Sequence, residues 1–430
     1  MSRALQTAED LRRRATYLTE VVGQLYPGPD RFALPRGPGS GRSAARAAAR
    51  ANNVDTRPYI IVPNRRRPRV LIPASNRKVA AGALARYSRP AARAARTKRD
   101  AAVWALRLGL DRLLLPHRLR VSASEGIDDH LSTVLGHEVH LSIHIGPARA
   151  NRKPVLQILD GRAQTVAFAK LGVNELTREL VEAEAAATRR LGEFGGLRRL
   201  RVPTLLHAGS WRGHSLMVTS ALPAWTDPVE HGDARRLAAM RELAEVDGTT
   251  RSPLGESDYA ARLRARLKAL SERGRSGAGD TDADTLVAAG TTLLDRFARI
   301  ELTFGAWHGD WSPWNTCESA DVIYLWDLER FETGVPYGFD AVHYRLQDDI
   351  VTHQVDPTTA VLLLAANASA VLAPMGVAPT EAEPTTLLYL VDLAARYMGD
   401  RAEHAGAALG ALGSWLLPTL LRHIARQRDA

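Results

Sequence analysis

The peptide WHGDWSPWN, residues 307–315, sets a histidine, an aspartate and an asparagine among three tryptophans. A carboxylate in such apolar company needs partners, and the residue types suit proton transfer and cation binding. Asp310 can accept a proton, and Asn315 can offer a neutral oxygen. Twelve residues past Asn315, Asp327 closes the apolar run DVIYLWD (321–327). An amide oxygen and a carboxylate, with other positions left to water and phosphate oxygens, is how magnesium is held in phosphoryl-transfer sites.

Such chemistry needs elements to position it. HEVHLSIHI (137–145) alternates like a half-buried strand, GPARANRK (146–153) is a turn-forming loop, and PVLQILD (154–160) and QTVAFAKLGV (164–173) read as further strands. ELTRELVEAEAAATRRLGEF (175–194) is helical, with Asn174 or Thr177 as its cap. Lys170 lies within the third strand, beside Phe168, Ala169 and Leu171. Burying an ammonium without a counter-charge costs several kcal/mol, so a glutamate on the next helix is its natural partner. A strand-end lysine reaching to water fits the segment equally. VPTLLHAGSWRGHSLMVTSALP (202–223) reads as two more strands, and a helical stretch runs on to LVAAGTTLLDRFARIEL (286–302).

HGDWSPWN followed by LWDLERF, and preceded by Lys170 in AFAK and a helical EAEA, resembles the aminoglycoside phosphotransferase and choline kinase group over residues 136–425. The resemblance implies an α+β, protein-kinase-like fold of two lobes, a small β-rich one (136–223) and a larger, mostly helical one (224–430). It implies ATP and Mg2+ as cofactors and a small-molecule hydroxyl as phosphoryl acceptor. Asp310 would position that hydroxyl and accept its proton, Asn315 and Asp327 would bind Mg2+, and Lys170 would hold the α/β-phosphates. Glu184 matches the lysine's partner, with Glu182 close enough to exchange with it. Asp340 matches the aspartate that braces the catalytic loop, His308 packs and hydrogen-bonds beneath it, and Thr219 to Leu222 form the hinge beside adenine.

The phosphate loop is less glycine-rich than the family's. Gly146, Arg149, Asn151 and Lys153 can present N–H groups or cations to phosphate, or can make a plain hairpin turn. Ser312 stands where protein kinases place a lysine, which suits a small-molecule kinase. Trp307, Trp311 and Trp314 are read as packing that holds Asp310 rigidly, because misplacement by about 1 Å can cost about a hundredfold in rate. Glu329 backs the metal or sits exposed. Asp348, Asp349, Asp392 and Glu403 are the candidates to meet a cationic acceptor, which can be aminoglycoside-like, an amino alcohol, a sugar or a nucleoside.

The first third of the chain differs in texture. Residues 1–130 hold 26 Lys+Arg against 10 Asp+Glu, although the whole 430-residue chain is only +10. Residues 1–56 read as a helical start and a weakly ordered Pro/Gly/Arg linker, and 57–130 as a basic strand-helix extension packed on or near the small lobe. Within it, RPYIIVPNRRRPRVLIP (57–73) reads as two strands around a polar turn. SNRKVAAGALARYS (75–88) and PAARAARTKRDAAVWALRLGLDRLL (90–114) read as helices, with Ser75 and Ser88 as caps. The basic residues over 57–120 can form a solvated face or contact nucleic acid, although no nucleic-acid motif accompanies them. A rival reading is a catalytically silent nucleotide-binding module that docks an acidic partner through this extension.

Other classes are disfavoured. A single cysteine, Cys317, excludes an intramolecular disulfide and points to the cytoplasm. Thirteen histidines include no H-E-x-x-H, so zinc is not expected, and no G-x-S-x-G elbow marks a hydrolase. The apolar stretches 361–378 and 405–421 are broken by proline, glycine and polar residues and read as buried helices, with no membrane partner.

Overall fold

The computed structural model of the chain describes residues 16–27, 56–86, 93–123, 125–146, 152–223, 232–275, 281–403, 418–420 and 422–423. The chain divides into two compact units. The first is Met1–Ala148, Arg152–Glu182 and Leu205–Trp225, and the second is Arg149–Asn151, Ala183–Thr204 and Thr226–Ala430. The first is β-rich and the second mainly helical, so the α+β class read from the sequence is the one the chain adopts.

Among the described residues, nine strands precede residue 221: β1 (Thr56–Val62), β2 (Val70–Pro73), β3 (Arg118–Ser122), β4 (His140–His144), β5 (Val155–Leu159), β6 (Thr165–Gly172), β7 (Leu200–Arg201), β8 (Leu205–Trp211) and β9 (His214–Ser220). All but β7 form one eight-stranded sheet in the order β3-β1-β2-β4-β5-β6-β9-β8. The 57–130 stretch is therefore not a separate extension. β2 pairs antiparallel with β4 through Val70↔His144 and Leu71↔Ile143, and the boundary drawn between 130 and 136 falls inside a continuous sheet.

The reason is in the strand sequences. Tyr59, Ile61 and Leu71 point to one apolar cluster with Ile143, Leu156 and Ile158. Ile60, Val70 and Ile72 point to another, built with Val79, Leu84 and Leu106. Strands apolar on both faces need cover on both, which a lone hairpin cannot supply. The helix at 16–25 covers the first face with Tyr17, Leu18, Val21, Val22 and Leu25, and the hydroxyls of Tyr26 and Tyr59 meet at 2.7 Å. Arg77–Ala85 and Arg93–Leu108 cover the second. The cap of the former is Asn76, not Ser75: its amide oxygen accepts from Lys78 N at 2.9 Å and Val79 N at 3.3 Å. Ser88 and most of the 27–53 linker lie outside the described residues.

In the second unit, β10 (Thr250–Pro253), β11 (Glu301–Trp307), β12 (Thr316–Glu318), β13 (Ile323–Leu325) and β14 (Glu332–Pro336) form two small sheets, β10-β11-β14 and β12-β13-β7. The helix expected up to residue 302 ends at Arg296. From Glu301 the chain alternates, burying Leu302 and Phe304, and is pinned by β10 and β14 on either side, so tertiary pairing overrides the helical pattern. Trp307, Phe339, Tyr259 and Tyr389 pack edge to face in the core beneath. Among the described residues no single helix is long and apolar enough to cross a membrane. Pro357–Ala366 and Ala368–Met375 together pass that test by length and composition, but are bent by 77°. Within 361–378, Leu362 and Leu363 are exposed rather than buried, and most of 405–421 lies outside the described residues.

Candidate active site

The loop 308–315 leaves β11 at Trp307 and returns at β12. Its sharpest turn is at Gly309, where φ is +82° and a Cβ would run into the backbone oxygen of Arg330, so only glycine fits. The loop is tied to the start of the helix Phe339–Gln347. Asp340 accepts the backbone N–H of His308 at 2.7 Å and that of Gly309 at 3.3 Å. Arg396 donates to the Gly309 carbonyl at 2.6 Å, with its guanidinium beside the Trp307 ring. Burial pushes the Asp340 carboxyl up to about 7, against the two N–H donors and Arg396, which favour its charged form.

His308 is fully buried, and its two contacts settle its protonation. Nε2 donates to the Trp326 carbonyl at 2.9 Å, and Nδ1 accepts the Asp310 N–H at 3.1 Å. Only the neutral Nε2–H tautomer can do both, in keeping with burial holding its pKa below the ordinary value. His308 is thus occupied with the backbone on both sides.

Asp310 keeps a third of its side chain exposed. Asn315 Nδ2 donates both to the Asp310 carbonyl at 3.0 Å and to Oδ2 at 2.9 Å, which leaves the Asn315 amide oxygen outside these bonds. Oδ1 is held by His343 Nε2 at 3.0 Å, and His343 Nδ1 meets the Tyr389 hydroxyl at 2.9 Å. Burial works against the Asp310 carboxylate, but the hydrogen bond from His343 and the Arg396 guanidinium hold its pKa below the usual value. A deprotonated, partly exposed carboxylate with both oxygens fixed can accept a proton from a ligand hydroxyl.

Asp327 does not end a strand. It follows β13 in left-handed geometry, φ +70°, as the cap of a short turn at Leu328–Arg330. Carboxylate oxygens of Glu184, Asp327 and Glu329 come within 4.8 Å of one another. These are hard oxygen donors, as is the Asn315 amide oxygen, of the kind that suits Mg2+ and not a soft metal. Glu184 is buried, whereas Glu182 is exposed and accepts from Ser215 Oγ at 2.6 Å. Glu329 is likewise buried.

In the first unit, Lys170 is half-buried on β6, opposite Val155 and Met217. Thr219 is on β9 opposite Phe168, Leu222 follows that strand half-buried, and Gly146 follows β4. Arg149 and Asn151 lie outside the described residues. A cavity of about 760 Å3 in this unit is lined by Arg57, Asp128, Asp129, His137 and His140 and contains none of the candidate residues.

Three residues of the site escaped sequence reading: His343, Tyr389 and Arg396. For His343 a faint signal exists, since it stands three residues after Asp340 and so shares its helix face. Tyr389 and Arg396 come from the helix Pro379–Glu403 and carry none. Trp307 and Trp311 are buried, whereas Trp314 is 42% exposed and is not core packing. Of the carboxylates considered for a cationic acceptor, Asp349 is paired with Arg345 at 2.8 Å, Asp392 with Arg266 at 2.8 Å, and Asp348 lies 3.3 Å from His353. These three already have partners within the chain.

No protein-family model and no curated protein matches the chain. Among solved structures, it is similar to the choline kinase LicA from Streptococcus pneumoniae, at 14% identity over 70% of this chain and 98% of that one, with a TM-score of 0.47. It is also similar to an aminoglycoside phosphotransferase from Alicyclobacillus acidocaldarius, at 15% identity over 64% of this chain and 90% of that one, with a TM-score of 0.35.

Proposed function

We propose that the protein transfers the γ-phosphoryl group of ATP to a hydroxyl of a small molecule. The observation that carries this reading is the Asp310 carboxylate, deprotonated and partly exposed, locked to Asn315 while the Asn315 amide oxygen stays outside that bond. This is the arrangement a hydroxyl-directed phosphotransferase needs: a base for the acceptor and, next to it, a neutral oxygen donor for a cation.

Asp310 orients the acceptor O–H and takes its proton as the acceptor oxygen bonds to Pγ. The bond from Pγ to the β-phosphate oxygen breaks, its electron pair leaves with ADP, and the product is a phosphate monoester. Asn315 and Asp327 are the residues we assign to hold Mg2+, with Glu329 supporting Asp327; when bound, the ion supplies neutralisation of phosphate charge. Lys170 is assigned to the α/β-phosphates with Glu184 as its partner, Gly146 and Asn151 to the phosphate loop, and Thr219 and Leu222 to the adenine edge. His308 and Asp340 hold the loop and do not touch the reacting atoms. Catalysis on this reading is positioning and charge stabilisation, which supply most of the acceleration in phosphoryl transfer.

The test is ADP release from Mg·ATP across a panel of aminoglycosides, amino alcohols, sugars and nucleosides, with Asp310→Asn as control. Acceptor-dependent release that the variant lacks supports the assignment and identifies the acceptor class. Equal release by the variant removes Asp310 from its role. Nucleotide binding without release for any acceptor favours the silent module instead.

A further inference from the structure

We infer that His343 is the positioning residue of this site: its Nε2–H fixes Oδ1 of Asp310 while Asn315 fixes Oδ2, and the Tyr389 hydroxyl holds Nδ1 of His343. The inference rests on the phosphotransferase reading of Asp310.

The hydrogen-bonding inventory forces the direction of this chain. An ionised carboxylate only accepts, so the 3.0 Å contact to Asp310 places the proton of His343 on Nε2. Burial favours the uncharged ring, which leaves Nδ1 with a lone pair, and the Tyr389 hydroxyl at 2.9 Å donates to it. Both His343 and Tyr389 are fully buried, and their rings pack edge to face with centroids 5.9 Å apart. A ring fixed by packing and by a bond at each nitrogen has no alternative orientation within reach.

Two consequences follow for chemistry. With both oxygens restrained, one from the loop and one from a helix 33 residues further on, the carboxylate plane cannot rotate when a hydroxyl approaches. His343 also cannot relay the acceptor's proton, because Nε2 already carries a hydrogen and Nδ1 faces a donor. The proton therefore stays on Asp310 until it leaves to solvent across the carboxylate's exposed part. His343 acts through Asp310 and is not itself a catalytic residue.

The test compares His343→Leu, His343→Gln and Tyr389→Phe in the full chain. Glutamine can place an amide N–H near the lost Nε2, and leucine cannot. Leucine is expected to lower kcat by about a hundredfold with KM for ATP and acceptor unchanged, because misplacement by about 1 Å costs that much. Glutamine is expected to restore most of it. A leucine variant that folds and keeps wild-type kcat overturns the inference, and so does a glutamine variant no better than a folded leucine one. Should leucine fail to fold, 15N spectra of the wild-type imidazole decide: an Nε2–H tautomer whose Nδ1 resonance shifts on loss of the donor in Tyr389→Phe supports the inference, and an Nδ1–H tautomer overturns it. These spectra need no turnover. If the wild-type protein transfers phosphate to no acceptor, the functional reading falls, while the spectra still report on the His343 bond.

Discussion

The eight-stranded sheet of the first unit and the loop 308–315 of the second are held by opposite means. The sheet is held by area: alternate residues of β1, β2, β4 and β5 enter two apolar clusters, and no one side chain decides its shape. The loop is held by named atoms: two N–H groups on Asp340, one guanidinium on Gly309, and one glycine that tolerates φ +82°. Damage to the sheet should therefore cost stability and spare chemistry, whereas damage to the loop should cost chemistry out of proportion to stability.

Four experiments test this contrast, from the largest effect to the smallest. The first is the pH dependence of stability. The folded pKa of Asp340 is raised to about 7, above an ordinary 3.8, so the folded state holds a proton that the unfolded state has released. The stabilisation this brings is fully present below about pH 4 and is lost as pH rises through 7, on the order of 4 kcal/mol over the range. Urea midpoints of wild type and Asp340→Asn should show it: the wild type loses stability over this interval relative to the variant. Parallel pH curves would mean that the backbone donors outweigh burial.

Second, Ile158→Ala removes a fully buried side chain from the sheet and should cost about 2–5 kcal/mol in chemical denaturation, with kcat of the folded fraction unchanged. A large loss of kcat would show that the two regions are not separable. Third, Gly309→Ala should lower the kcat of the folded fraction by about a hundredfold, a loss its stability cost does not explain, although its Cβ meets the Arg330 backbone oxygen and so adds to the cost of about 1–2 kcal/mol for the left-handed backbone. Melting and steady-state kinetics on one preparation would expose the mismatch, and proportional losses would contradict it. Fourth, Asn76→Ala removes a helix cap that accepts two N–H groups, and about 1 kcal/mol of stability should go without any change in turnover.

Legibility in the sequence followed the same division. The strands β4, β5, β6, β8 and β9 and the helix Glu175–Phe194 could be read from alternation and helical spacing, because those periods record which face is buried. The two strands within 57–73 could also be read, but not that β2 pairs with β4, since hydrogen-bonding edges leave no mark on side-chain type. The strand at Glu301–Trp307 was hidden behind a helical pattern that β10 and β14 overrule. Asp310, Asn315 and His308 were legible because a short motif keeps them together. Tyr389 and Arg396 were not, and the spacing of His343 from Asp340 marks a shared helix face but not whether the histidine packs or holds a carboxylate.

By itself the sequence determined most elements of the β-rich unit and the short run that contains the candidate base and its amide neighbour, all set by interactions within a few residues. Tertiary structure alone decided three things: that the basic N-terminal strands belong to the same sheet as the rest, that three of the carboxylates considered for an acceptor are already paired, and that Asp310 is held on its second oxygen by His343. Each depends on groups tens of residues apart, whose meeting is fixed by the packing of the whole core and not by any local pattern.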